Sequence, residues 1–217
     1  MPVWSLLAFE IRQSLQRGQE ALLVLTFFAV AYGILPLTLS AVGGVPPAVE
    51  NLYEWAIALF AMLLATDGLI LRDVQDGTLD RYKSLGASMA LLLASRTIAC
   101  WALSGLPIVV IVWLTSLQKD YVAFLALSFA VGTLAICFLS VLVQCLLVQA
   151  KASQILTGLV LFPLCIPAIV FGCGVATALE GGYACVSSVL QLAHLLFVIP
   201  LSLGLGSYSL SHLSQRV

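Results

Sequence analysis

The sequence predicts an all-α membrane protein in which six transmembrane helices form a single permease domain. Of its 217 residues, 62% are hydrophobic and only 9% are charged, whereas about one quarter of the residues in soluble domains are charged. Six windows are also long and apolar enough to cross the hydrocarbon core as helices, which satisfy their own backbone hydrogen bonds there. We therefore expect a lipid bilayer to surround the folded chain.

The predicted spans occupy residues 21–42, 52–71, 96–117, 121–148, 155–179 and 185–210. Ahead of them, in residues 1–18, apolar side chains recur at three- and four-residue steps, a pattern typical of an amphipathic helix at the membrane interface. The alternative is a plain cytoplasmic extension of the first span. The six cysteines fall in or beside apolar windows, where we expect small packing residues; a Cys173–Cys185 disulfide is the alternative for one pair.

Lysine and arginine are concentrated on one side of the predicted spans. If the N-terminus is cytoplasmic, eight of the nine basic residues lie on the cytoplasmic side, which retains such residues, and only Lys119 lies outside. We therefore expect a multi-pass protein of a bacterial inner membrane with both termini in the cytoplasm. The net charge of -1 gives no reason to expect nucleic acid as a partner.

The cytoplasmic loop of residues 72–88 carries a cluster of charged residues in a charge-poor chain. It predicts a short helix, because Thr78 is a suitable N-cap and Gly86 can adopt the left-handed conformation that ends a helix. Three apolar side chains would share one face of this helix as a ridge, namely Leu79, Tyr82 and Leu85. The ridge either docks into a groove of a cytoplasmic partner or packs back on the membrane surface.

Charged residues within the spans are further candidates, because they are costly in lipid. Asp67 near the end of the second span and Arg96 at the start of the third are predicted to meet, either as a structural ion pair or in gating. Glu54 lies near the outer end of the second span, where we expect it to anchor the helix at the surface. Five prolines are predicted to bend the spans or to form static kinks: Pro36, Pro107, Pro163, Pro167 and Pro200.

The segment Leu71-Arg-Asp-Val-Gln-Asp-Gly-Thr-Leu79 resembles the cytoplasmic loop of the haem exporter B family, the membrane subunit of the cytochrome c maturation ABC transporter. Three proline-containing stretches are similar in the same order: Leu35-Pro-Leu37, Ser104-Gly-Leu-Pro107 and Leu161-Phe-Pro-Leu-Cys-Ile-Pro167. The resemblance runs along the whole chain and implies an ABC-2-like permease fold. It also implies a homodimer that pairs with two copies of a separate ATP-binding subunit.

The resemblance further implies three partners: a haem-handling membrane protein, a small single-span subunit and a periplasmic haem chaperone. Haem would be exported, or the haem-loaded chaperone released, when ATP hydrolysis by the partner moves the loop. The predicted coupling residues are Asp73, Gln75, Asp76, Gly77, Leu79, Tyr82 and Leu85.

We do not expect the chain to be an enzyme, since it lacks the G-x-x-x-x-G-K-[ST] motif that binds ATP phosphates. No cofactor or metal site is predicted, and we expect His194 in the sixth span to hydrogen-bond to a neighbouring helix rather than to ligate haem iron. Two alternative functions remain open, a permease subunit of a drug or lipid exporter and a scaffold that only assembles other subunits.

Overall fold

The computed structural model describes residues 18–41, 43–84, 86, 88–149, 154–181 and 185–213. Eight helices lie within these ranges: α1 (Gly18–Ala41), α2 (Pro47–Thr66), α3 (Leu69–Gln75), α4 (Thr78–Ser84), α5 (Met89–Thr115), α6 (Val122–Gln149), α7 (Gln154–Gly181) and α8 (Cys185–Leu213). The interfacial helix predicted in residues 1–18 lies, up to residue 17, outside the described residues.

Six segments of the described chain are long and apolar enough to cross a membrane, which confirms the predicted fold class. Helices α2 and α3 together form the second of them, Ala48–Gln75. The third begins at Met89 rather than at residue 96, because the residues between are mainly alanine and leucine, which favour helix. Arg96 therefore lies in the second turn of α5 and not at its start.

Helix α6 occupies the centre of the bundle. It packs against α2, α3, α5, α7 and α8, and 72% of its span is buried, against 50% or less in the other five. Its sequence is apolar on all sides, as expected for a helix surrounded by others. A shift of α6 would therefore be felt by most of the bundle.

Helices α3 and α4, with the turn between them, form a helical hairpin that connects the second and third spans; we call it the hairpin. Successive spans alternate in direction, so the bundle has a hairpin end and an opposite end. As predicted, α4 begins at Thr78, and Gly86 has a φ of +66°, in the left-handed region where glycine is favoured. Helix α3 was not predicted as a separate element, because the apolar window continues through the break before it.

Candidate functional site

The second span is interrupted between α2 and α3, at Asp67 and Gly68. Gly68 has φ 63° and ψ 13°, a left-handed conformation that glycine adopts readily. The chain changes direction here, so the last carbonyls of α2 and the first N–H groups of α3 lose their helical partners. In an apolar environment such groups are costly unless another donor or acceptor replaces the lost bond.

The side chain of Gln144 on α6 bridges this break. Its Nε2 donates to the Thr66 carbonyl at 2.6 Å, and its Oε1 accepts from the Ile70 N–H at 3.1 Å. Gln144 is only 5% exposed. In addition, the Arg72 guanidinium donates to the Asp67 carbonyl at 2.7 Å. One amide therefore caps both helix ends, and we call Gln144 with its two backbone partners the clasp.

Two further features surround the clasp. The Thr66 hydroxyl donates to Ser140 Oγ at 2.9 Å, one turn before Gln144 on α6. A small cavity of about 20 Å³ lies beside the break, with Asp67, Gly68, Gln144 and Thr157 in its lining. Sequence reasoning missed Gln144, although it is the only side-chain amide between residues 122 and 148, and polar groups inside spans usually pair with others.

A buried ion pair joins the hairpin to α5. Arg96 Nη2 lies 2.7 Å from Asp73 Oδ1, and both side chains are 3% exposed. The prediction that Arg96 pairs with Asp67 is therefore wrong about the carboxylate. Asp67 lies at the end of α2 with an exposed side chain, whereas the break turns α3 so that Asp73 faces α5.

The predicted apolar ridge does not face outward at Leu79, which is only 4% exposed. Leu79 packs into a cluster formed by α3, α5, α6 and α8, whose other buried members are Ile70, Leu92, Leu93, Val141, Cys145 and Leu210. Tyr82 is half-buried against the same cluster, and Leu85 lies outside the described residues. The ridge turns inward because apolar side chains of three spans meet there. Among the hairpin residues whose exposure the structure describes, the exposed ones are Gln75, Asp76 and Gly77 at the tip and Ser84 at the end of α4.

A polar network links three spans near the opposite end. The Tyr32 hydroxyl of α1 donates to Glu54 Oε1 of α2 at 3.0 Å, and the Thr115 hydroxyl of α5 lies 3.3 Å from the Tyr32 oxygen, to which it donates. Glu54 is 5% exposed. The prediction that Glu54 anchors the helix at the surface is therefore wrong, because its side chain points into the bundle and not towards water.

Trp55, next to Glu54, is completely buried between helices. Its ring stacks on Phe129 of α6, with centroids 4.4 Å apart. A Cβ added to Gly132 of α6 or to Gly172 of α7 would lie 2.4 Å or 2.2 Å from the indole. These two glycines are therefore required for α2, α6 and α7 to approach around the ring.

All five candidate prolines lie inside helices, so each removes one backbone hydrogen bond. Their role as bends stays a prediction. Near Pro107, a Cβ on Gly105 would lie 2.4 Å from the Trp101 ring, whose Nε1 donates to Thr133 Oγ1 at 3.0 Å. The glycine in this motif therefore gives Trp101 room to connect α5 with α6.

Among the described residues, no three His, Cys, Asp or Glu side chains come close enough to hold a metal ion. Cys173 is a free thiol and donates to the Asn51 carbonyl at 3.8 Å, so the alternative disulfide with Cys185 is not formed. His194 is half-buried, with its ring edge-on to Phe171 at 6.0 Å between centroids. The most organised polar site is therefore the hairpin with its connections to α5 and α6.

Three known proteins with similar sequences match most of the chain. Heme exporter protein B of Pseudomonas aeruginosa is 30% identical over 194 residues, covering 88% of this chain and 87% of that protein. Heme exporter protein B of Bradyrhizobium diazoefficiens is 30% identical over 186 residues, covering 82% of each. That of Paracoccus denitrificans is 25% identical over 209 residues, covering 94% of each. A family model described as CcmB protein matches residues 1–213, and the chain belongs to this family.

Proposed function

We propose that this chain is the membrane subunit of a haem export system for c-type cytochrome biogenesis, in which a separate ATP-binding subunit drives the hairpin. The relatives named heme exporter protein B support haem as the molecule that is exported or handled. The hairpin and both termini lie in the cytoplasm of a bacterium, because basic residues are concentrated on that side. ATP is bound by the partner, since this sequence lacks a phosphate-binding loop.

The observation that carries the coupling proposal is the contrast between the exposed tip of the hairpin and its buried base. Gln75, Asp76 and Gly77 are exposed, whereas Asp73 and Leu79 on either side of them are buried. A partner that presses on this tip would act on a segment fixed by an ion pair and by core packing. Its movement would therefore reach the spans and would not be lost in a loose loop.

The predicted coupling residues then have two different roles. Gln75, Asp76 and Gly77 form the surface that meets the partner, while Asp73 and Leu79 fix the hairpin to α5, α6 and α8. Tyr82 supports the base from its half-buried position. The role of Leu85 stays a prediction.

The remaining partners belong to the same proposal. Two copies of this chain would pair with two ATP-binding subunits, together with a haem-handling membrane protein and a small single-span subunit. Movement of the spans would act at the opposite end, on the periplasmic side, where it exports haem or releases a haem-loaded chaperone. The hairpin and its connections supply the mechanical part of this function.

Crosslinking from matched positions at the two ends tests the orientation and the docking surface together. Gln75 at the tip and Gln118 at the opposite end are both exposed glutamines. In native membrane vesicles, we expect a bifunctional reagent on Gln75→Cys to capture a protein that mass spectrometry identifies as carrying a G-x-x-x-x-G-K-[ST] motif. Gln118→Cys should not capture it. Capture from neither position, or from Gln118→Cys alone, would refute docking at the tip.

Gene deletion separates haem export from the alternative functions. We expect loss of haem-stained c-type cytochromes, whereas a drug or lipid exporter would leave them unchanged. A partner subunit that assembles but cannot hydrolyse ATP separates coupling from scaffolding. It should abolish cytochrome maturation if the hairpin transmits movement, and it should preserve maturation if the chain only assembles other subunits.

A further inference from the structure

We propose that Gln144 is a positioning residue, through which movement of α3 about the break at Asp67 and Gly68 reaches the central helix α6. The inference rests on the proposed function, because it names the internal route by which the hairpin would act on the bundle. Gln144 bonds to the backbone of Thr66 and Ile70 and not to the exposed tip of the hairpin. It would contribute by holding the end of α2 and the start of α3 together at the break.

The side-chain amide of Gln144 meets both hydrogen-bonding needs of the break. The Thr66 carbonyl needs a donor and the Ile70 N–H needs an acceptor, and a side-chain amide is a neutral group that supplies both. The two contacts, at 2.6 Å and 3.1 Å, lie on opposite sides of the break. A rotation of α3 against α2 must therefore either move Gln144 or break one of these bonds.

The bonds are distributed unequally between the two helices. Thr66 of α2 is held to α6 twice, by Gln144 through its carbonyl and by Ser140 through its hydroxyl. Across the break, Gln144 bonds to α3 through the Ile70 N–H. This asymmetry favours a movement in which α2 stays fixed on α6 while α3 pivots and pulls on the Gln144 side chain.

The surroundings of the break allow such a pivot. Gly68 already has a positive φ of 63°, which leaves the backbone free to adjust where other residues would be strained. The cavity of about 20 Å³ beside it is lined by Asp67, Gly68, Gln144 and Thr157. The break is therefore not fully packed on this side, since the cavity has room for about one water molecule.

Gln191 provides a matched control for a purely structural role. It is also a buried glutamine, at 3% exposure, and it also bridges two spans with two bonds. Its Nε2 donates to the Ser128 carbonyl at 2.9 Å, and its Oε1 accepts from the Ser128 hydroxyl at 2.9 Å. It joins α8 to α6 near the opposite end, where neither helix is broken.

The test measures the ATP hydrolysed per cytochrome matured, in membranes that contain the whole complex. Loss of a purely structural residue lowers assembly, ATP hydrolysis and maturation together, so this ratio stays constant. For Gln144→Leu, we expect the partner to remain bound and to hydrolyse ATP, while the ratio rises several-fold because fewer hydrolysis events move α6. Gln191→Leu should keep the ratio of the unaltered protein.

Gln144→Asn covers the case in which Gln144→Leu does not accumulate. Asparagine keeps the amide but is one carbon shorter, so it can reach only one of the two backbone groups, and we expect a smaller rise in the ratio. The inference would be overturned if Gln144→Leu, or Gln144→Asn where Gln144→Leu does not accumulate, kept the ratio of the unaltered protein, or if Gln191→Leu raised the ratio equally. The proposed function fails separately, if Gln75→Cys captures no ATP-binding subunit in the otherwise unchanged chain.

Discussion

Replacing Asp73 by asparagine removes one partner of the buried ion pair between α3 and α5. In the native protein Arg96 Nη2 lies 2.7 Å from the Asp73 carboxylate, and both side chains are 3% exposed. Water therefore has little access to the guanidinium after the change. We expect Asp73→Asn to lower the free energy of unfolding, and the hairpin to be the first part of the chain to loosen.

The magnitude follows from the burial of the pair. Removing one member of a buried pair costs about 3–5 kcal/mol, because the other charge is left uncompensated. Asparagine still offers an oxygen to the guanidinium, so we expect about 3 kcal/mol, the lower end of this range, or roughly a hundredfold change in the folding equilibrium. Asp67→Asn, at the exposed carboxylate that the sequence favoured, should change stability by about 0.5 kcal/mol or less.

A double-mutant cycle measures this interaction directly. The purified protein in mixed micelles is unfolded by increasing the fraction of SDS, for Asp73→Asn, Arg96→Gln and the combined variant. We expect a coupling free energy of about 0.5–3 kcal/mol, as found for residues in direct contact. Zero coupling between Asp73 and Arg96, or a cost for Asp67→Asn that equals the cost for Asp73→Asn, would refute the reasoning.

Two further changes test the packing and polar contacts within the spans. Gly172→Ala should destabilise the protein by about 1–3 kcal/mol, because the new methyl group collides with the Trp55 ring; Gly158→Ala, with no atom within 4 Å, should be neutral or slightly stabilising in the same unfolding experiment. Glu54→Leu should cost about 1–3 kcal/mol, since the buried Tyr32 hydroxyl loses its carboxylate acceptor. Glu54→Gln keeps an acceptor oxygen and should cost less; equal costs would contradict the role of this bond.

The spans were predictable because each depends on a local property of the sequence. A run of about 20 apolar residues matches the thickness of the hydrocarbon core whatever its neighbours are. The break at Asp67 and Gly68 was not predictable in this way. Its backbone groups are satisfied by Gln144, and the bonded Ile70 and Gln144 are 74 residues apart in the chain, so only the tertiary structure makes the interruption tolerable.

The candidate site was predicted in its location but not in its contacts. From the sequence, the charged residues and the apolar ridge were predicted in the correct segment. However, Arg96 was predicted to pair with Asp67, and Leu79 was predicted to face outward. Both errors arise from tertiary structure. The break changes the rotation of α3 relative to α2, and the apolar cluster of α5, α6 and α8 determines which face of the hairpin is buried. Periodicity identifies residues that share a face, but not the side to which that face points.

The connections at the two ends of α2 indicate which spans would carry a force applied to the tip. Asp73 links the hairpin to α5 through a charged pair, and Gln144 links it to α6, while α5 and α6 are joined to each other by the bond from Trp101 to Thr133. Helix α2 is held to α6 by the two bonds of Thr66, and at the opposite end Glu54 bonds to α1.

A push on the tip should therefore pass to α5 through Asp73 and to α6 through Gln144, while α2, which is bonded to both α6 and α1, is the fixed element outside this path. Because Glu54 lies on that fixed element, Glu54→Leu should lower stability without changing the ATP hydrolysed per cytochrome matured. Arg96→Gln should change both the stability and the ATP hydrolysed per cytochrome matured. Arg96 belongs to the buried pair and also to the path from the tip of the hairpin to α5. An unchanged ratio in Arg96→Gln, with a raised ratio in Glu54→Leu, would mean that α2 carries the force and that this assignment of fixed and moving spans is reversed.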